Sequence, residues 1–308
     1  MIEIRDLRVD YEQLTAVIDL SLKIEPGTVY GLIGPNGAGK TSTMKVLATL
    51  LEPTYGEVKI SGIDVLENPR EAHRLLGYMP DVAPLYDDLP VQDFLEVFGI
   101  AHEIPASLRG QRIAQVLELT DLVGKREALV GSLSRGMKQR LVLSKTLLHD
   151  PQVLILDEPA SGLDPMARIQ LRDVLKRLGA MGKTLLVSSH ILSDLSDFCS
   201  AIGIMERGRL KVSGRIDDIL TRMNPHRSVD IRLVAPDPRL ETIALEDPRV
   251  RAIAVEGDKA RLDFDGDAAG LAELLQRLVA GGLRIQGFHE RRDDIEDIFM
   301  KVGARQVS

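Results

Sequence analysis

The stretch that most constrains this 308-residue chain is Gly34-Pro35-Asn36-Gly37-Ala38-Gly39-Lys40-Thr41. An apolar run from Thr28 to Ile33 precedes it and reads as a strand; helical spacing follows from Ser42 to Leu51. Strand, glycine-rich turn, Lys-Thr and helix, in that order, make a phosphate-binding loop. The glycines let consecutive backbone N–H groups turn toward phosphate oxygens, and the helix N-terminus adds a positive dipole. Gly34 to Gly39 are thus the expected cradle. Lys40 is expected to reach the β- and γ-phosphates, the Thr41 hydroxyl to ligate Mg²⁺, and Ser42 to complete the nucleotide-contacting stretch. A glycine-rich hairpin turn is the competing reading, and the different types of the two flanking elements argue against it.

The remaining residues are enough for two domains, because single domains usually run to about 100–200 residues. Lys and Arg total 39 against 46 Asp and Glu, a formal charge of −7, so nucleic acid is not an expected partner. The start, Met1-Ile2-Glu3-Ile4-Arg5-Asp6, lacks the basic opening and apolar run of a signal peptide, and no apolar run is long enough to span a bilayer. Cys199 is the single cysteine. Together these features lead us to expect a chain in a reducing cytoplasm.

Residues 2–9 and 20–24 alternate as two antiparallel strands, with a further strand at 57–60 and a helix over 68–76. From 85 to 130, Phe94, Leu95, Phe98, Ile113, Val116, Leu117 and Leu119 recur at helical spacing, which predicts an all-helical insert. Strands are expected at 153–156 and 184–189, with helices at 165–179 and 191–199. That alternation predicts a largely parallel sheet with helices on both faces. After Asn224-Pro225-His226 the pattern becomes strand, helix, strand, Gly257-Asp258 turn, strand, helix and strand, which predicts a ferredoxin-like sandwich followed by a helix over 293–301. From 226 onward, 13 basic and 16 acidic residues leave −3, so this part is no nucleic-acid module by electrostatics.

A phosphate-binding loop alone leaves kinases, GTPases and transport ATPases open. The apolar run Val153-Leu154-Ile155-Leu156 places Asp157 and Glu158 at a strand's C-terminal end, where open α/β sheets bind ligands. Asp157 stands where an acid holds Mg²⁺, and Glu158 where a carboxylate polarises an attacking water. Ser134 opens an amphipathic helix running to about His149, so its hydroxyl and the following N–H groups form a second anion site.

Leu133-Ser134-Arg135-Gly136-Met137-Lys138-Gln139-Arg140 resembles the signature motif of ATP-binding-cassette (ABC) ATPases, and Ser161-Gly162-Leu163-Asp164 resembles their D-loop. His190 is similar to the family's switch histidine, and Tyr11 stands where the family stacks an aromatic ring on adenine. The motifs cover about residues 1–220 in the family's order. The resemblance implies an α/β P-loop cassette at 1–222, with a mixed-sheet core, an antiparallel β-subdomain and a helical subdomain at about 85–150. An accessory or regulatory α+β domain of ferredoxin-like form follows at 226–308.

It further implies ATP and Mg²⁺ as ligands, with Glu158 and His190 catalytic. Tyr11, the loop 34–42, Asp81, Ser134, Gly136, Asp157 and Asp164 then face the nucleotide, and Thr41, Asp81 and Asp157 face the metal. Two chains would pair head to tail as a homodimer, Ser134 of one touching the γ-phosphate held by Lys40 of the other. Asp81 replaces the family's usual Gln, and Arg135 and Met137 replace the commoner Gly and Gln; Arg135 reads either as a cation near the phosphate or as a solvated side chain. With the C-terminal part, ending Asp294-Ile295-Glu296-Asp297-Ile298-Phe299-Met300, the chain resembles the ATPase of ABC-2-type exporters. That implies a separate integral-membrane permease, docked around Leu85, Tyr86, Leu89 and Phe94, and a place on the cytoplasmic face of the membrane. The rivals are a soluble ABC ATPase acting on ribosomes or nucleic acid, and a regulatory ATPase without transport. The first usually carries paired cassettes or zinc cysteines; the second is expected to lose groups such as Glu158 and His190.

Overall fold

The computed structural model describes residues 1–191, 195, 197–223 and 227–291. Its chain divides into two compact units, Met1–Ile216 and Asp217–Ser308. Two sheets build the first unit. One is antiparallel, with β1 (Ile2–Tyr11), β2 (Leu14–Ile24), β4 (Tyr55–Ile60) and β5 (Ile63–Asp64) in the order β2-β1-β4-β5. The other has six strands: β3 (Val29–Ile33), β6 (Leu76–Met79), β7 (Val153–Leu156), β8 (Thr184–Ser189), β9 (Ala201–Glu206) and β10 (Arg209–Arg215), ordered β10-β9-β3-β8-β7-β6. All but β10 run parallel. β3, β7 and β8 are buried at every position, as their unbroken apolar runs require of central parallel strands.

Helix α1 (Lys40–Leu47) lies between the sheets. Its Met44, Val46 and Leu47 share one core with Ile4, Leu7 and Leu20 of the antiparallel sheet and with Leu32, Ile155 and Leu186 of the parallel one. The C-terminal ends of β3, β8, β7 and β6 are adjacent and carry, in that spatial order, the glycine-rich loop, His190, Asp157-Glu158 and, after Pro80, Asp81.

Between β4 and β7 come α2 (Pro69–Leu75), α3 (Val91–Ala101), α4 (Ala106–Leu119) and α5 (Arg135–Leu147). Helix α5 packs on β6 and on α6 (Pro165–Ala180). The insert is not all helix: 3₁₀ turns at Val123–Lys125 and Val130–Ser132 and an antiparallel bridge between Pro90 and Leu129 close it. Phe94 is 0% exposed, stacked obliquely on Phe98. It is therefore core; of the docking patch expected around it, Tyr86 is 53% exposed and Leu85 and Leu89 are half-buried.

The hairpin β9–β10 and helix α7 (Ile216–Met223) fall where no element was expected. β10 alternates only between half-buried and exposed positions, so its sequence shows little contrast. The expected helix over 191–199 falls partly on residues 192–194 and 196; these, the Asn224–His226 break and the helix over 293–301 lie outside the described residues. No helix among the described residues is long and apolar enough to cross a membrane.

In the second unit, β11 (Arg227–Leu233), α8 (Arg239–Leu245), β12 (Val250–Glu256), β13 (Lys259–Phe264), α9 (Ala268–Ala280) and β14 (Ile285–Arg291) follow each other in the ferredoxin-like order, with an antiparallel sheet β12-β13-β11-β14. Asp267 caps α9 by accepting the Gly270 N–H at 2.9 Å. Phe264, Leu262, Val229, Leu274 and Leu278 form its core. Phe264→Ala removes a wholly buried ring, and the second unit should lose about 3–5 kcal/mol. Differential scanning calorimetry should show its transition lowered while that of the first unit stays in place.

Candidate nucleotide site

The loop after β3 has no room for a side chain at Gly34, where a Cβ would lie 2.2 Å from the Met205 carbonyl oxygen, or at Gly39. A Cβ on Gly39 would lie 2.3 Å from the Ala16 carbonyl oxygen, and the residue sits at φ +101. Only glycine fits both conditions. Gly39 also starts α1 without any side-chain cap, so the helix's first N–H groups remain for an anion. Lys40, 5% exposed, folds over the loop: its Nζ donates to the Gly34 carbonyl at 2.6 Å and to that of Pro35 at 3.3 Å. Thr41 is exposed at the helix start. Tyr11, at the end of β1, is tied to this helix by a 3.2 Å hydrogen bond between its hydroxyl and that of Ser42.

Asp157 is 1% exposed. Its Oδ1 accepts from the Ser188 hydroxyl at 2.7 Å, and that hydroxyl in turn accepts the Glu158 N–H at 2.8 Å. Ser188 of β8 thus holds both acids of β7. Glu158 sits at φ +47, a region costly for any residue with a Cβ. That backbone turns its carboxylate across the strand ends. Oε1 lies 3.3 Å from Lys40 Nζ, and Oε2 accepts from His190 Nδ1 at 2.8 Å. Three neighbouring strands therefore place a cation, a carboxylate and an imidazole in contact.

The Asp81 carboxyl is raised above the usual carboxylate range by partial burial, then by the negative charges of Asp157 and Glu158, with Arg135 and His190 opposing. Asp81, Asp157 and Glu158 thus share one electrostatic field, and a hard cation such as Mg²⁺ fits it. Among the described residues no three His, Cys, Asp or Glu side chains form a metal cage by themselves. A cation here takes further oxygen ligands from a hydroxyl, water or phosphate.

Ser134 caps α5, its hydroxyl accepting the Met137 N–H at 3.3 Å, and Asp164 caps α6 by accepting from the Ala167 N–H at 2.9 Å. A Cβ on Gly136 would come 2.6 Å from Cβ of Ala167, so the two helix starts pack closely. Arg135 is exposed and has no described bond to the loop 34–42. It donates to the Ser161 carbonyl at 3.2 Å and covers Gly162, whose φ is +65 and whose Cβ would collide with the guanidinium. The described contacts gather Lys40, Asp157, Glu158 and His190 into one group, and Ser134, Gly136 and Asp164 into another. No described hydrogen bond or ion pair joins the second group to residues 34–42. Ser188 and the Arg135–Gly162 contact are the positions that sequence reasoning missed. A buried serine just before His190 was the available signal for the first.

Residues 17–161 match the family profile described as ABC transporter. The chain is 35% identical over 313 residues to the "Nod factor export ATP-binding protein I" of Burkholderia lata, covering 99% of this chain and 98% of that one. It is 36% identical over 217 residues to an uncharacterized ABC transporter ATP-binding protein of Nostoc, with 70% and 64% covered. Among solved structures, an "ATP binding subunit of ABC transporter" superposes with TM-score 0.65 at 30% identity, over 72% of this chain and 93% of that one. A dimeric ATP-binding cassette bound to ADP and Pi has TM-score 0.64 at 22% identity, over 70% and 99%, and shows the same fold.

Ser188→Ala leaves Asp157 buried without its hydroxyl donor and frees the Glu158 N–H. Chemical denaturation should report a loss of about 1–3 kcal/mol. ATP turnover should fall with it, and Ser188→Thr should restore both in part.

Proposed function

Because this chain belongs to the family of ABC transporter ATP-binding proteins, we propose that it is the ATP-hydrolysing subunit of an ABC-2-type export system, working as a head-to-tail homodimer beneath a separate integral-membrane permease. The observation that carries the reading is the position of Glu158 between Lys40 and His190, at 3.3 and 2.8 Å, at the end of the strand neighbouring the phosphate loop's own sheet partners. Export is supported by likeness along 99% of the chain to a protein named for Nod factor export.

The proposed chemistry follows from the residues. The N–H groups of the loop 34–42 and the start of α1 bind the phosphates, and Lys40 exchanges the Gly34 and Pro35 carbonyls for phosphate oxygens. Tyr11, 42% exposed and anchored through Ser42, offers its ring to the adenine. Bound Mg²⁺ would neutralise charge on the β- and γ-phosphate oxygens, and Thr41, Asp157 and Asp81 are the residues that would hold it. Glu158 accepts a proton from the attacking water, and His190 keeps the carboxylate aimed. Ser134, Gly136 and Asp164 belong to the opposite face of the site and act on the nucleotide of a second copy. That division fits their attachment to α5 and α6 rather than to the phosphate loop.

Closure of two copies moves the helical inserts, and a permease docked near the exposed Val82 and Tyr86 receives the movement. Attachment to such a permease would place the subunit at the cytoplasmic membrane face, with the second unit, Asp217–Ser308, as an accessory domain. Asp81 in place of Gln brings a full charge to the metal, strengthening the dependence on Mg²⁺.

Glu158→Gln keeps the binding groups and removes the base. ATP turnover should drop about 10²–10⁴-fold, and multi-angle light scattering should find a dimer in Mg-ATP; a persistent monomer would count against the paired arrangement. Asp81→Gln should alter the Mg²⁺ concentration dependence of turnover, and an unchanged curve would remove Asp81 from the metal site.

A further inference from the structure

A second charged concavity lies away from the catalytic face, at the seam between the core sheet and the helical insert. It is a groove of about 830 Å³ between α2, the turn joining α3 to α4, and the residues after α5. That volume falls in the range of small-molecule sites, about 300–1,000 Å³. Arg70 and Arg74 enter from one side, four residues apart on α2 and so on one face of it. Both are exposed, and neither has a hydrogen bond or ion pair among the described residues. His102 enters from the insert and His149 from the end of α5. Their rings stack with centroids 4.0 Å apart and planes 11° from parallel.

The histidines are unusually placed. His149 Nε2 donates to the Leu76 carbonyl at 3.0 Å, whereas its Nδ1 is buried with no partner. Burial and then the nearby charges of His149, Lys145 and His73 push His102 below the ordinary imidazole range. Burial is the leading cause, and the Lys145 ammonium adds positive field on this side. Two other basic groups at the groove are already engaged: Arg112 with Gln115 and Asp150, and His73 with Thr49 and Ala48. Among the described residues Glu103 is the one carboxylate lining the groove, and Asp150 is held by Arg112 and Lys183. Positive charge is therefore left over at Arg70 and Arg74, facing a pair of imidazoles.

We propose that this groove binds a phosphate-bearing polyanion, gripped by Arg70 and Arg74 from the core and by His102 from the insert side, with the His149 ring stacked behind His102. Guanidinium forks match phosphate oxygens, and an imidazole beside a bound anion is favoured in its protonated form. The position gives the ligand leverage on the catalytic face. α2 leads directly into β6, beyond which lies Asp81, and His149 follows α5, whose first turn is capped by Ser134. An anion bridging the two sides would hold the insert, and with it Ser134, at one angle to the sheet. The assignment stands apart from export and dimerisation, since it rests on this groove alone.

The test uses the full chain saturated with Mg-ADP, so that the phosphate loop is occupied. Inorganic pyrophosphate is titrated by calorimetry while the His102 and His149 imidazole resonances are followed by NMR, assigned through His102→Gln and His149→Gln. A parallel arm measures co-sedimentation with phosphatidylcholine vesicles with and without phosphatidylglycerol, which distinguishes a soluble phosphate from a lipid headgroup. Pyrophosphate should shift both resonances, or anionic vesicles should bind the chain, and the Arg70→Ala/Arg74→Ala variant should weaken that binding about tenfold or more while Mg-ADP affinity stays unchanged. Equal binding by parent and variant in both arms, or no binding in either, overturns the proposal.

Discussion

Glu158 stands between Lys40 and His190, and the architecture of the first unit serves to hold it there. A carboxylate in contact with a buried ammonium and an imidazole requires their three chain segments to end side by side. Parallel strands with adjacent C-termini do this directly: β3 delivers the loop and Lys40, β7 delivers the acid, and β8 delivers the histidine. The strained backbone at Glu158 and the shared hydroxyl of Ser188 complete the placement. Burying α1 between two sheets then fixes the direction from which the phosphate loop meets those groups.

The second group, Ser134, Gly136 and Asp164, has a different support. Ser134 and Asp164 cap helices that pack against each other at Gly136 and Ala167, and Arg135 fastens the segment at Ser161 and Gly162 to the same corner. These contacts join Ser134 and the 161–164 turn in one packed corner. Such coupling suits the proposed closure by the approach of another copy. Arg135 thereby ties the turn after Glu158 to the first turn of α5.

Much of this was legible in the sequence where the chemistry is local. The glycine loop, the acids after an unbroken apolar run and the serine before a helix each sit within a few residues of the element that positions them. The strand and helix order of residues 227–291 was equally readable, because alternating positions such as Val229 and Ile231 face one core. What stayed hidden depends on segments distant in the chain. Ser188 acquires its role only when β8 pairs with β7, and Arg135 meets Gly162 only after α5 has packed on α6. β10 escaped for a different reason: its half-buried alternation offers little apolar contrast. The family resemblance put Phe94 in a docking patch, although its ring closes the core of the insert.

The central claim is that the phosphate loop and Ser134 of one chain serve different nucleotides. It is tested most directly by mixing two inactive variants, Lys40→Ala and Ser134→Ala, and measuring ATP turnover. A mixed pair places both defects in one composite site and leaves the other intact, so turnover should return on mixing. A mixture no more active than either variant alone would contradict the claim and place the complete site within a single chain.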